Sequence, residues 1–253
     1  AGFRAVGAIE NWAPAAESLQ ANHPGTVIES RDIRTVNPNE FRDSLECRPN
    51  LVVGGPSCQG FSTSGGFSRG TGRDINDDRN SLFLDYVRFV DVLQPEWVVM
   101  ENVPGLLLYN KGMVAMEVIK QFREINYSVV PLILLAADYG VPQLRRRLFF
   151  IGNRTGAKVP FPVPTCGDST LWNKFSLPFE HLSRIGNKSS SNALPPHLTF
   201  REACSDLPAI RPGGGECSSP REYKGPATSA YQRLMRQRKR RVFLHFASAS
   251  SEF

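Results

Sequence analysis

The amino-acid sequence predicts an α/β fold, an open and mostly parallel sheet with helices between its strands. Two observations point there. Short apolar runs recur at residues 5–9, 51–53, 97–100, 129–135 and 148–151, each the length of a strand buried on both faces. Stretches of helical periodicity lie between them, and strand–helix–strand repetition implies right-handed crossovers.

Taken in order, the run at 5–9 ends at Glu10, and the run at 51–53 ends at the turn Gly54-Gly55-Pro56. A helix is expected over 81–94, where Phe83, Val87, Val90 and Leu93 recur on one face and Asp78 or Asn80 can cap the start. A second helix is expected over 113–124. Beyond residue 153 the character changes. "KVPFPVPTCGD" is proline-rich and "RIGNKSSSNALPPH" is polar, as connections are. A short helix returns over 199–206, with Thr199 as cap and Glu202 at the capping-box position. The expected division is a core over 1–155, a Pro/Ser-rich connection over 156–198 and a further region from 199 to 253.

The 253 residues are 41% hydrophobic and 21% charged, an ordinary globular balance. No apolar stretch approaches the roughly 18 residues of a membrane span, so no membrane partner is expected. The five cysteines, Cys47, Cys58, Cys166, Cys204 and Cys217, are odd in number and form no CxxC pair. That argues against a disulfide framework and a zinc cluster, and fits a reducing compartment. No metal is expected. The net charge of +6 suits a polyanionic partner without selecting one.

Chemistry concentrates at strand ends. In open parallel sheets, ligands bind outside the carboxyl ends of the strands. Cys58 follows the run 51–53, and Glu101 follows 97–100. If these strands are neighbours, thiol and carboxylate share one rim. Arg145 and Arg147 lie two apart, so strand alternation places them on one face and Arg146 on the other. Each residue alone has an ordinary reading: a small buried hydrophobe, a solvated charge, edge decoration. Their conjunction in this order is what points to a site.

The stretches "GGPSCQGFSTSG", "MENVPGLL" and "YGVPQLRRRLFFIG" resemble three motifs of the DNA (cytosine-5) methyltransferase family, in order and spacing. "LTFREACSDLP" resembles it more loosely, and the style of the chain is closest to bacterial members. Ser57 departs from the family, which usually has proline before the cysteine. The resemblance implies a Rossmann-like class I fold that uses S-adenosylmethionine to methylate C5 of cytosine in DNA.

In that chemistry a thiolate adds to C6 of the ring, and C5 becomes nucleophilic enough to take a methyl group. The resemblance makes Cys58 the nucleophile. Glu101 becomes an acid at N3, in a desolvated site that favours its protonated form. Arg147 contacts the cytosine O2 edge and restrains the cysteine, with Arg145 supporting the loop. Gln59, Ser62, Ser64 and Asn102 are assigned to the DNA side. The target base must leave the duplex. The glycine-rich segment 62–80 reads either as a loop closing behind that base or as an ordinary surface loop.

For the cofactor, the resemblance implies Glu10 at the ribose hydroxyls, Trp12 against adenine, and Asp32 near the adenine amino group with Ile33 beside it. Gly55 and Pro56 allow close backbone approach. Asp32 reads equally as a turn cap. The family's FxGxG loop precedes the stretch that "AGF" matches, and residues 199–253 are read as the start of its target-recognition region, cut short. The sequence is therefore read as truncated at both ends, and as inactive in this form. Arg236 and Arg238, in the basic stretch near the end, read either as phosphate contacts or as a solvated tail.

Three other readings stand beside this one: a transfer-RNA methyltransferase of the same family, a non-catalytic nucleic-acid-binding remnant, and a cysteine hydrolase. The last needs a histidine paired with Cys58, and no histidine has motif context. The expected partners are DNA and a cognate restriction endonuclease. The protein is expected to be a monomer in the bacterial cytoplasm, or in the nucleus of a eukaryote.

Overall fold

The computed structural model describes residues 2–56, 82–108, 112–160, 162–167, 194–210, 213–214, 221–236 and 240–242. Cys58, Gln59, Ser62, Ser64, Arg238 and the segment 62–80 lie outside the described residues. The chain forms two compact units, one from residues 1–134 and 146–162, the other from 135–145 and 163–253.

The first unit is α/β, as the strand and helix patterns imply. Strand β1 (Gly7–Ile9) leads through helix α1 (Ala13–Asn22) to β2 (Val27–Glu29), and the two strands pair in parallel. Helix α1 starts with Pro14 in its first turn, where the missing N–H costs nothing. A 3-10 turn over Ile33–Thr35 and helix α2 (Pro38–Ser44) follow, and Asn37 caps α2 by accepting from the Asn39 amide at 2.9 Å.

Strand β3 (Leu51–Gly54) and β4 (Trp97–Asn102) pair in parallel, with Leu51 opposite Trp97 and Gly54 opposite Met100. Helix α3 (Leu82–Leu93) lies between them in the chain. It buries the four residues expected, Phe83, Val87, Val90 and Leu93, together with Tyr86 and Phe89. After β4 come the short helix α4 (Gly105–Leu108), α5 (Met113–Glu124) and strands β5 (Ser128–Leu135) and β6 (Arg146–Asn153). Their order in the sheet is β3-β4-β6-β5. Pro131 removes a donor from the middle of β5, which is tolerated because β5 is the edge strand.

Strand β6 runs antiparallel to β4, with Glu101 opposite Phe149 and Trp97 opposite Asn153. The short connection from β5 dictates this. A parallel return needs a crossover of a dozen or more residues, whereas antiparallel neighbours can be joined tightly. Gly152 shows how closely β5 packs, since a side chain there would collide with the Ser128 carbonyl.

A shared core joins the two sheets. Val36, Phe41, Phe89 and Leu93 are buried together, with Ile9, Val27, Ile33, Leu45 and Val52 packed against them. Arg88 ties α3 to the 3-10 turn, donating to the carbonyls of Ile33 at 2.8 Å and Val36 at 3.2 Å. Tyr86 reaches up between β3 and β4, its hydroxyl 2.9 Å from the Val52 carbonyl and 3.1 Å from that of Val99. Burial pushes its phenol pKa up.

The second unit contains a 3-10 turn (Ala136–Tyr139), α6 (Phe200–Cys204), α7 (Ala230–Arg236) and the antiparallel pair β7 (Arg221–Glu222) and β8 (Arg241–Val242). The expected capping box is present: Thr199 accepts from the Glu202 amide while Glu202 accepts from the Thr199 amide. Asp138 is buried against His197 at 2.7 Å. Gln232 links the two helices, accepting from the Thr228 amide at 2.7 Å and donating to Ser205 Oγ at 3.0 Å. Among the described residues, no helix is long and apolar enough to cross a membrane.

Candidate active site at the carboxyl ends of β3 and β4

Parallel pairing of β3 and β4 brings their carboxyl ends to one rim, so Gly55-Pro56 and Glu101-Asn102 emerge side by side. The reversal of β6 completes the arrangement. Because β6 starts where β4 ends, Arg147 at its beginning faces Glu101 at the end of β4. A parallel β6 would have put the arginine at the opposite edge of the sheet.

Arg147 Nε lies 2.7 Å from Glu101 Oε1, and the two side chains are 23% and 37% exposed. Arg147 also donates to the Arg146 carbonyl at 2.8 Å. Glu101 therefore differs from the desolvated acid implied by the sequence: it sits half-open, ion-paired to a guanidinium. Gly55 backs the carboxylate. A Cβ there would lie 3.3 Å from Glu101 Oε2, so the small residue keeps room for the acid. Gly54 serves the layer below, where a Cβ would collide with the Tyr86 ring. Gly54 is thus required by this chain's own Tyr86, while a side chain at Gly55 would need the Glu101 carboxylate to give by a few tenths of an ångström.

Strand alternation sends Asn102 to the face opposite Glu101. It is only 4% exposed. Its Nδ2 donates to the Pro56 carbonyl at 3.1 Å, and its Oδ1 accepts from the Val103 amide at 2.8 Å. The assignment of Asn102 to the DNA side is corrected: a buried carboxamide bonded to two strand exits is an internal staple. Sequence reasoning missed that role, although alternation along β4 carried the signal.

Arg145 is exposed and precedes β6; its carbonyl accepts from the Ala136 amide at 2.9 Å. Arg236 requires a larger correction. It pairs with Asp206 at 2.7 Å, donates to the Gly225 carbonyl at 2.7 Å, and stacks 3.9 Å from the Tyr223 ring centre. With the side chains only 15% and 5% exposed, this arginine holds the second unit together and does not meet phosphates.

At the carboxyl end of β1, Glu10 is half-buried and accepts from the Trp12 amide at 2.8 Å. Trp12 is 66% exposed. A carboxylate and an open indole two residues apart fit a ribose and a purine ring. Asp32 takes its cap reading. It accepts from the Arg34 amide at 2.9 Å and pairs with the Arg34 guanidinium at 2.6 Å. These bonds, the side-chain one first, lower its pKa to about 2. Ile33 packs against the core, where its apolar side chain is better accommodated than in an open pocket.

The model of the C-5 cytosine-specific DNA methylase family matches residues 1–198. The chain is 35% identical over 244 residues to the Type II methyltransferase M.AgeI of Thalassovita gelatinovora, covering 93% of this chain and 53% of that protein. It is 33% identical over 255 residues to M.DdeI of Desulfomicrobium norvegicum, covering 98% and 53%. The chain thus spans about half the length of these curated relatives. Against M.AquIA of Picosynechococcus sp. it is 33% identical over 223 residues, covering 84% of this chain and 83% of that protein. The solved structure of a protein encoded within an E. coli prophage shares the fold, with a TM-score of 0.62 at 23% identity over 92% of this chain and 57% of that one. The rim built by β3, β4 and β6 lies wholly inside the matched stretch, and on that match the chain belongs to the C-5 cytosine-specific DNA methylase family.

Proposed function

We propose that the protein methylates C5 of cytosine in DNA, with the rim of β3, β4 and β6 as its catalytic centre. One observation carries the reading: the Glu101–Arg147 pair stands beside Gly55-Pro56, and the chain continues from there directly into Ser57-Cys58-Gln59. The bound cofactor, S-adenosylmethionine, supplies an electrophilic methyl group. Glu10 and Trp12 would hold its ribose and adenine, with Asp32, whose carboxylate stays partly exposed beside Arg34, and Ile33 next to them on the adenine side.

The residues divide the work. The Cys58 thiolate forms a bond to C6 of a cytosine turned out of the duplex, which makes C5 a nucleophile. Glu101, paired with Arg147 in the open rim, would take up a proton from solvent as the base enters and hold it at N3 so that charge does not accumulate on the ring. Arg147 orients Glu101 and offers its remaining N–H groups to the O2 edge. Once C5 carries the methyl group, its proton passes to solvent and the Cys58–C6 bond breaks, returning the thiolate.

The substrate is DNA, on the analogy of the Type II methyltransferases it resembles, and a restriction endonuclease reading the same site is the expected companion. The test is transfer of labelled methyl from S-adenosylmethionine to DNA by the full-length protein, with hydrolysis and mass analysis of the bases. Label in 5-methylcytosine supports the proposal. Label in RNA, on the exocyclic amine, or in no base at all overturns it.

A further inference from the structure

We infer that Asn102 is a positioning residue that locks the exits of β3 and β4 together, so that the segment carrying Cys58 and the carboxylate of Glu101 are set by one side chain. This rests on the catalytic reading above and adds to it a residue that touches no substrate.

The geometry is specific. Asn102 has one donor and one acceptor end, and the structure uses each at a different strand exit. Nδ2 holds the Pro56 carbonyl at 3.1 Å, two residues before Cys58 in sequence. Oδ1 holds the Val103 amide at 2.8 Å, where the chain leaves β4. The parallel register ends at Gly54 opposite Met100, so Pro56 and Asn102 lie beyond the last paired residues of β3. Beyond that last pair, the Asn102 carboxamide supplies a bond from β4 to the β3 exit. The group is buried, so water cannot readily replace it. Glu101, the preceding residue, points to the other face and is fixed there by Arg147. Cys58 follows Pro56 by two residues in sequence, so the Asn102 bond fixes the point from which the segment bearing the nucleophile departs, and small misplacements of reacting groups are costly in rate.

Two variants test the inference in the full-length protein. Asn102→Asp keeps the acceptor for Val103 and loses the donor to Pro56; Asn102→Ala loses both. Asn102→Asp is nearly isosteric and covers the case in which the alanine variant fails to fold. The expected outcome is a fall of about tenfold or more in kcat, with KM for DNA within about threefold of the parent. A second readout does not need the reaction: alkylation of Cys58 by iodoacetamide, followed by peptide mass spectrometry with exposed Cys47 as internal reference. Its rate relative to Cys47 should rise about threefold or more as the exit loosens. Unchanged Cys58 alkylation in folded Asn102→Asp overturns the inference. So does a raised KM for DNA with kcat retained, which would make Asn102 a substrate contact. If the parent protein transfers no methyl group, the proposed reaction is wrong, and the alkylation comparison still decides the role of Asn102.

Discussion

Two arginine–carboxylate pairs in this protein have nearly the same contact distance and opposite character. Arg236 and Asp206 meet at 2.7 Å in a buried nest, where the guanidinium also bonds Gly225 and stacks on Tyr223. Arg147 and Glu101 meet at 2.7 Å on an open rim, with about a quarter and a third of their side chains exposed. The first pair has its groups satisfied inside the chain and cannot exchange partners without loss. The second retains access to solvent and to anything that enters the rim. A distance alone does not separate structure from chemistry; burial and the remaining hydrogen-bond partners do.

The largest effect should come from breaking the buried pair. Arg236→Ala leaves Asp206 charged and enclosed, which should lower unfolding free energy by about 3–5 kcal/mol. Denaturant titration measures this, and a loss below about 1 kcal/mol would place the pair among ordinary surface contacts. DNA affinity of the folded variant should be unchanged.

The rim pair should show the opposite pattern. Glu101→Gln should reduce methyl transfer by roughly two to three orders of magnitude. Its effect on stability should stay within the roughly 0–1 kcal/mol of an exposed pair. Steady-state kinetics and thermal unfolding on the same sample separate the two effects. Gly55→Ala should act more mildly, lowering kcat about tenfold by pressing a methyl group against the Glu101 carboxylate. A variant with full activity would show that the carboxylate can move aside freely.

The smallest effect belongs to a third pair, Asp32 with Arg34. The folded-state pKa of Asp32 is depressed, from 3.8 to about 2. The stabilisation is therefore complete above the ordinary carboxylate range and is lost as pH falls through the window down to about 2. Because the pair is partly exposed, the amount should be about 1 kcal/mol or less. Asp32→Asn should flatten the acid limb of a stability–pH curve by that amount, and an unchanged limb would contradict the assignment.

Much of this was legible in the sequence because it is local. The helix expected over 113–124 is α5, and that over 81–94 is α3. The Thr199–Glu202 capping box needs only four consecutive residues. What was not legible depends on pairing. No periodicity states that β6 runs antiparallel to β4, yet that reversal carries Arg147 to Glu101. Arg236 read as one member of a basic run because its partner, Asp206, lies 30 residues away. Strand β2 has three residues and helix α1 lacks a clear apolar stripe, so neither announced itself. Asp32 stood open between cofactor and cap until Arg34 was seen to close on it.

The central claim is that this rim serves covalent catalysis by Cys58, and a trapping reaction tests it most directly. DNA made with 5-fluorocytosine is incubated with the full-length protein and S-adenosylmethionine, then run under denaturing conditions. Fluorine at C5 blocks the final elimination, so the account predicts a stable protein–DNA adduct, with the crosslinked peptide containing Cys58, and no adduct from Cys58→Ala. An adduct that persists in Cys58→Ala, or a parent protein that methylates cytosine C5 without ever being trapped, would contradict it.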